Sequence, residues 1–282
     1  MRNYTALTIA GSDPSGGAGL QADLKTFHQF GVFGCSVVSL LTVQNSKEVK
    51  SVHLIDSSIV EAQLDAVLTD IKPMAIKTGA LGSASVIKII AKKFSPSGRF
   101  YSSTTPLIVD PVLVSTHKAS LLNLDALPVL QNELFSFCYL VTPNIMEAEL
   151  LAGTKINTAS DMENAAKLIQ SMGAKNVLIK GGHMSTDPID LLLTEQNSVH
   201  TFLHERINTK NTHGTGCILS AAITANLSRG ILLLQAVEKS IEFTTKAIST
   251  APNITNDGGY GPINMFVDTK KPFKKNPQGT KG

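Results

Sequence analysis

The stretch Asn211-Thr212-His213-Gly214-Thr215-Gly216-Cys217 runs directly into the apolar segment Ile218–Ile223. A glycine-rich loop that feeds a buried helix leaves the N–H groups of Gly214, Thr215, Gly216 and Cys217 without carbonyl partners. The helix dipole favours negative charge there, so the segment reads as an anion hole. In phosphoryl transfer such a cradle stabilises charge on the equatorial oxygens. A cysteine in a first helical turn is expected to be held toward its thiolate, which makes Cys217 a candidate base or electrostatic element. The plain alternative is a small apolar plug at a helix start. Cys35 and Cys138 lie inside apolar runs and read as core thiols.

A second glycine-rich stretch, Gly11-Ser-Asp-Pro-Ser-Gly16-Gly17-Ala-Gly19, leaves a strand and enters a helix that holds Asp23. Its glycines let the backbone turn tightly and approach a ligand. Gly17–Ala22 also satisfies GxGxxA. The long loop and the Gln44-Asn45 ending of the next strand, where a ribose-binding acid belongs, argue against a dinucleotide site. In Thr142-Pro143-Asn144-Ile145-Met146-Glu147, Pro143 ends a strand, Asn144 caps the following helix and Glu147 lies in its first turn. Beside a phosphate cradle, that carboxylate is also an oxygen ligand for Mg²⁺. Lys180, in Lys180-Gly-Gly-His183, offers a point charge for phosphate. No GxxxxGK[ST], GxSxG or HExxH occurs, which excludes a Walker-type site and argues against a hydrolase elbow; His200 and His204 lie in a strand pattern and do not read as zinc ligands.

Short apolar β-rich runs alternate with helical patterns and must carry these residues. The strand candidates are residues 6–10, 37–43, 74–77, 107–110, 139–142, 176–180, 190–194 and 200–204. Several are continuous apolar runs, as in a parallel sheet covered on both faces. The last two are spaced like a hairpin and suggest an antiparallel edge. Ser58-Ile-Val-Glu61 and Ser160-Asp-Met-Glu163 are expected capping boxes. The first opens a helix to about Thr69. The second carries Met162, Ala165, Ala166, Ile169 and Met172 on one face and ends at Gly173. A similar stripe is Val237, Ile241, Thr244 and Ile248. The expected fold is a three-layer α/β/α sandwich with a mostly parallel central sheet, ligands lying past the carboxyl ends of its strands.

Composition bounds the rest. The 282 residues are 43% hydrophobic and 17% charged, too apolar for a disordered chain and enough for one large domain. We expect a single domain over residues 1–267. Residues 268–282 contain five Lys and form a basic tail expected to be mobile. Without those lysines the chain has 20 basic residues against 22 acidic ones, so the formal charge of +3 belongs to the tail. Three Cys fit a reducing, cytoplasmic setting. No run approaches the length of a membrane span, and 5% aromatics without a basic stripe argue against nucleic acid.

AGSDPSGGAGLQADLKTF, TVQN around Gln44, VDPV around Asp110, TPNIMEAELL, VLIKGGH and TKNTHGTGC occur in this order. With them the chain resembles the hydroxymethylpyrimidine/phosphomethylpyrimidine kinases of thiamin biosynthesis, within the ribokinase-like superfamily, from about Thr5 to Asn264. The resemblance implies ATP-dependent phosphorylation of 4-amino-5-hydroxymethyl-2-methylpyrimidine and then of its monophosphate, with Mg²⁺, in a homodimer. It implies that Cys217 is catalytic with Gly214, Thr215 and Gly216 as anion hole. Gln44 is matched to the pyrimidine, with Gly11 and Asp23 lining the same pocket. Asn144, Lys180, Thr212 and His213 are expected at ATP and phosphate, and Glu147 and Asp110 at the metal. Ala80 stands where the family usually has Met beside the pyrimidine, which enlarges the pocket and leaves pyridoxal or pyridoxine kinase as an alternative. Residues 115–118 and 257–261 also depart from the pattern, near the lid and the nucleotide. A non-catalytic pyrimidine-binding protein is the remaining alternative.

Overall fold

The computed structural model describes residues 3–115, 119–182, 188–204, 206–255 and 259–267. The basic tail, His183 and residues 116–118 and 257–258 lie outside them.

The strands are β1 (Thr5–Ser12), β2 (Phe33–Gln44), β3 (Val49–Leu54), β4 (Ala75–Thr78), β5 (Leu107–Val109), β6 (Leu140–Val141), β7 (Asn176–Ile179), β8 (Ile189–Leu193) and β9 (Val199–Leu203). They form one sheet in the order β3-β2-β1-β4-β5-β6-β7-β8-β9. The pairs from β2 to β7 across the middle are parallel, while β3, β8 and β9 run antiparallel to their neighbours. The expected hairpin is thus present as β8–β9, and β7–β8 is antiparallel as well. β3 was not among the expected strands: VKSVHL is half-exposed and carries Lys50 and His53, so it shows neither a buried run nor a clean alternation.

The buried runs split by residue parity, as pleating requires. Leu7, Ile9, Ile76, Val109, Val141, Val177 and Leu191 join one core. The alternate residues Ala75, Ile108, Leu140, Leu178 and Leu192 join another. Against the first pack α2 (Ser57–Asp70), α3 (Ala84–Phe94), α5 (Ile145–Ala152) and α6 (Ala159–Ser171), with the one-turn α4 (Leu127–Val129) set in a segmented helical stretch. Against the other face lie α1 (Gly19–Gln29), α7 (Thr215–Ser228) and α8 (Leu233–Ser249), with α7 in contact with β1, β4, α1 and α8. That position explains why α7 is apolar on all sides and why its Ser220 and Thr224 hydroxyls bond back to its own carbonyls.

Both capping boxes expected at serine are displaced. Asp56 caps α2, accepting from the Ser58 N–H at 2.8 Å, because a carboxylate two residues earlier outcompetes the serine hydroxyl. In α6 the box is Thr158 with Asp161, each bonding the other's backbone N–H. The Asn144–Glu147 pair does form a capping box on α5, with bonds of 2.9 and 2.8 Å. Asn144→Ala removes the cap and is expected to destabilise the fold by about 1 kcal/mol. A urea midpoint unchanged from wild type would contradict this.

Candidate active site

The chain leaves β1 toward β2 on one side and later returns to β4 on the other. The carboxyl ends of β1 and β4 therefore flank the crevice where an open α/β sheet binds its ligand. Both glycine-rich loops open there. The first bends back because Asp13 accepts from the N–H groups of Ser15 and Ala18, each at 2.8 Å. The bond to Ala18 N–H fixes the residue that precedes α1, a helix without a side-chain cap. The second reaches α7 through Gly214, whose φ of 80° lies in the left-handed region. A Cβ on Gly214 would overlap the Gly17 carbonyl, so the two loops touch along their glycines. His213 locks them together: its Nε2 is 2.8 Å from Asp13 Oδ2.

This junction places Cys217 in the first turn of α7, with the Gly19 N–H bonding its sulfur. The expected thiolate is not borne out. Burial pushes the Cys217 thiol up to about 11, aided by Asp110 and Asp23, and Lys77 offsets only part of this. The helix start and one nearby ammonium do not overcome desolvation and two carboxylates. Cys35 and Cys138 are buried, and burial raises both thiols, in keeping with inert core positions.

Thr215 N–H turns back to the Thr212 carbonyl at 3.2 Å, and its hydroxyl follows at 2.7 Å. The N–H groups of Gly216 and Cys217 point out of the helix start. Lys180 stands beside them: a Cβ on Gly216 would come 3.2 Å from the lysine Nζ. Lys180 is held by Asp110 Oδ1 at 2.8 Å. Burial would lower its ammonium, but Asp110 and Glu147 outweigh this and keep it charged. Asp110 is buried and also accepts from Ser220 at 2.9 Å and Thr142 at 3.2 Å. Glu147, expected at the metal, is raised to about 7 by burial, with Asp110 adding to the effect and Lys180 opposing it.

Among the described residues no cluster of three or more His, Cys, Asp or Glu could hold a metal. Mg²⁺ in phosphotransferases is held by one or two carboxylates, water and the phosphates themselves. The donors here fit that pattern: Glu147 is a buried carboxylate near Asp110 and Lys180, and Lys180 stands at the start of α7. Asp110 accepts on both oxygens, and Glu147 accepts from the Asn144 N–H at 2.8 Å.

Gly11 lies against Gly19, whose N–H meets the Cys217 sulfur, and a Cβ on Gly11 would be 3.6 Å from that of Ala80. Gln44 ends β2, half-buried and two residues past Thr42, whose hydroxyl donates to the Ser12 carbonyl at 2.9 Å. Asp23 is brought to the same region but from beneath. It is fully buried, with Oδ2 accepting from Lys77 at 2.9 Å and Thr8 at 2.6 Å. Thr212 is exposed at the loop, and His213 is buried against Asp13. A hollow of about 300 Å³ bordered by Tyr139, Asn176 and Thr194 lies at the opposite strand ends, away from all of these.

Sequence reasoning missed Lys77, Asp13 and Ser220. Lys77 had a signal: a charge inside the buried run Ala75–Thr78 demands a partner. Asp13 looked like an ordinary turn former, and nothing in the sequence marks Ser220.

A family model for phosphomethylpyrimidine kinase matches residues 13–264. A hydroxymethylpyrimidine/phosphomethylpyrimidine kinase from Bacillus subtilis is 41% identical over 99% of both chains. Among solved structures, the pyridoxal kinase from Staphylococcus aureus in complex with ADP superimposes with a TM-score of 0.84 at 32% identity, covering 94% of each chain. A phosphomethylpyrimidine kinase from Clostridium difficile gives 0.74 at 38% identity, covering 87% of this chain and all of that one.

Proposed function

Because the chain belongs to the phosphomethylpyrimidine kinase family, we propose that it uses ATP to phosphorylate 4-amino-5-hydroxymethyl-2-methylpyrimidine, and then its monophosphate, in thiamin biosynthesis. The observation that carries this reading is the convergence of the two glycine-rich loops on Cys217, with Lys180 at the start of the same helix. The hydroxymethyl oxygen bonds the γ-phosphorus, the bond to the β-phosphate bridge breaks, and ADP leaves as the hydroxyl proton is released. Gly214, Gly216 and Cys217 offer N–H groups to the transferring phosphoryl group, whose charge is greatest in flight, and Thr215, its own N–H turned to the Thr212 carbonyl, holds the turn that presents them. Lys180 adds a charge to the same oxygens, steadied by Asp110. Cys217 orients the attacking hydroxyl through its sulfur. Gln44 meets the ring edge, Gly11 and Ala80 form the wall, and Asp23 braces the floor through Lys77.

Asn144, Thr212 and His213 shape the ATP side, His213 through its grip on Asp13. Glu147, with Asp110 behind it, would hold Mg²⁺, which supplies charge neutralisation across the β- and γ-phosphates when bound. The fold reading is a ribokinase-like three-layer α/β/α sandwich formed by residues 1–267 as one domain. We place the enzyme in the cytoplasm as a homodimer. No helix among the described residues is long and apolar enough to cross a membrane.

Ala80 and the pyridoxal kinase neighbours favour one second reading, phosphorylation of pyridoxal. A coupled ADP-release assay against hydroxymethylpyrimidine, its monophosphate and pyridoxal decides between them. The expected order of kcat/KM puts both pyrimidines above pyridoxal; the reverse order would overturn the first reading.

A further inference from the structure

Ser220 lies in the second turn of α7, fully buried, and its hydroxyl reaches out of the helix. Other buried hydroxyls on this side of the sheet behave as helix hydroxyls usually do. Thr224, Ser240 and Thr244 each donate to the carbonyl four residues back, at 2.8, 2.6 and 2.8 Å. Ser220 has that option too, with the Gly216 and Cys217 carbonyls at 3.1 and 3.0 Å, but its nearest acceptor is Asp110 Oδ2 at 2.9 Å. A hydroxyl has one proton to give, and a carboxylate binds it more strongly than a carbonyl does.

Asp110 is shared between elements. Its Oδ1 accepts from Lys180, just past β7, at 2.8 Å and from Thr142 at 3.2 Å. Among the described residues, Oδ2 accepts from Ser220 alone. Lys180 in turn stands at the first turn of α7, where a Cβ on Gly216 would come 3.2 Å from its Nζ. Gly216 and Ser220 are about one helical turn apart. The contacts therefore close a ring through Gly216, Lys180, Asp110 and Ser220, and back along the helix. One hydrogen bond in it joins the helix that offers N–H groups to the pair that offers an ammonium.

We propose that Ser220 is a positioning residue for phosphoryl transfer: by anchoring Asp110 it sets the Lys180 ammonium at a fixed distance from the N–H groups of Gly216 and Cys217. The inference rests on the kinase reading above, whichever alcohol is phosphorylated. It adds the group that keeps two sources of positive potential aimed at the same oxygens. Without the hydroxyl, Oδ2 loses its anchor, the carboxylate turns about its side-chain bonds and the ammonium turns with it. Stabilisation of the group in flight depends on that alignment, so the loss falls on kcat.

Ser220→Ala is expected to lower kcat roughly tenfold while the KM of the accepting alcohol stays within about twofold of wild type. Alanine is a good helix former and leaves no polar atom behind on α7, so the variant is expected to fold. The Lys180→Met background separates positioning from a structural role. Once the ammonium is gone, Ser220→Ala is expected to cost less than about twofold more, because residues that act through one another are not additive. Transfer is followed with γ-labelled ATP, so that the weakened variants stay readable. A Ser220→Ala protein within about twofold of wild-type kcat overturns the inference, as does a loss that recurs in full in the Lys180→Met background. Either result leaves the kinase reading standing. A wild-type protein that phosphorylates neither pyrimidine nor pyridoxal removes the premise, and the inference with it. Ser220→Cys keeps the shape with a weak donor and carries the same comparison should the alanine protein not fold.

Discussion

Cys217→Ala is expected to lower kcat by roughly 10²-fold, the scale of a lost positioning contact, while leaving the KM for ATP within a few-fold of wild type. The sulfur sits at the N-terminal turn of α7, receives the Gly19 N–H and faces Lys77. Through Gly19 it adjoins Gly11, on the side proposed for the pyrimidine, whereas Lys180 and Glu147 are proposed for the phosphate side. Truncation to Ala removes a contact that strengthens only as the hydroxyl attacks, so the loss falls on kcat. Backbone N–H groups of the anion hole survive the substitution, which limits the loss and preserves ATP binding. Near-wild-type turnover in the variant would remove the role altogether.

The raised thiol sharpens that expectation. With its pKa pushed up to about 11, Cys217 rests as a thiol at neutral pH. Alkylation of Cys217 by iodoacetamide is therefore expected to be slow at neutral pH and to keep accelerating above about pH 9, as the thiolate fraction grows. A rate already at its plateau near about pH 7 would restore the thiolate that the helix start alone suggested. Cys35 and Cys138 are buried and do not obscure the measurement while the protein is folded.

What the sequence made legible follows the range of the forces involved. Buried strands were readable because both faces are covered and the runs are continuous, as in Leu107–Val109 and Asn176–Ile179. β3 was not, because its surroundings ask for no periodic burial. The existence of α2 and α6 was readable from their apolar faces, whereas their caps were not. Where Asp56 and Ser58, or Thr158 and Ser160, stand two residues apart, either can start the helix, and the backbone path decides. The Asn144 cap, with Glu147 in the first turn, was readable because Pro143 ends the strand just before it; the reciprocal bond that makes the pair a capping box was not. Site residues carried on glycine loops were visible as local patterns. The pairing of Asp13 with His213, 200 positions apart, was not, since only the closed sheet brings the two loops together. The Cys217 proton depends on the same long-range assembly: local sequence supplies the dipole, and the fold supplies the burial.

Lys77→Met is expected to destabilise the protein by about 3–5 kcal/mol at neutral pH. Both Lys77 and Asp23 are fully buried, 2.9 Å apart, and among the described residues only Thr8 shares the carboxylate oxygen that bonds the lysine. The other oxygen, Oδ1, has no partner among the described residues. Burial already lifts the Asp23 carboxyl, with Lys77 holding it down, while Asp23, Cys217 and Asp110 together keep Lys77 charged above its ordinary value. Methionine keeps the bulk and deletes the charge, so Asp23 must take up a proton or stay buried and unpaired.

Its folded pKa then rises further above the unfolded value. The neutral form stabilises the fold at low pH, and this contribution is lost as pH climbs through the raised value. Urea unfolding of Lys77→Met should accordingly show the smallest deficit near about pH 5 and a growing one toward about pH 8. Adding Asp23→Asn removes the orphaned charge and should recover a large part of the loss, because a buried pair costs most when one partner is left behind. A single variant within about 1 kcal/mol of wild type, or a double variant no better than the single, would show that the pair does not brace the floor beneath Cys217.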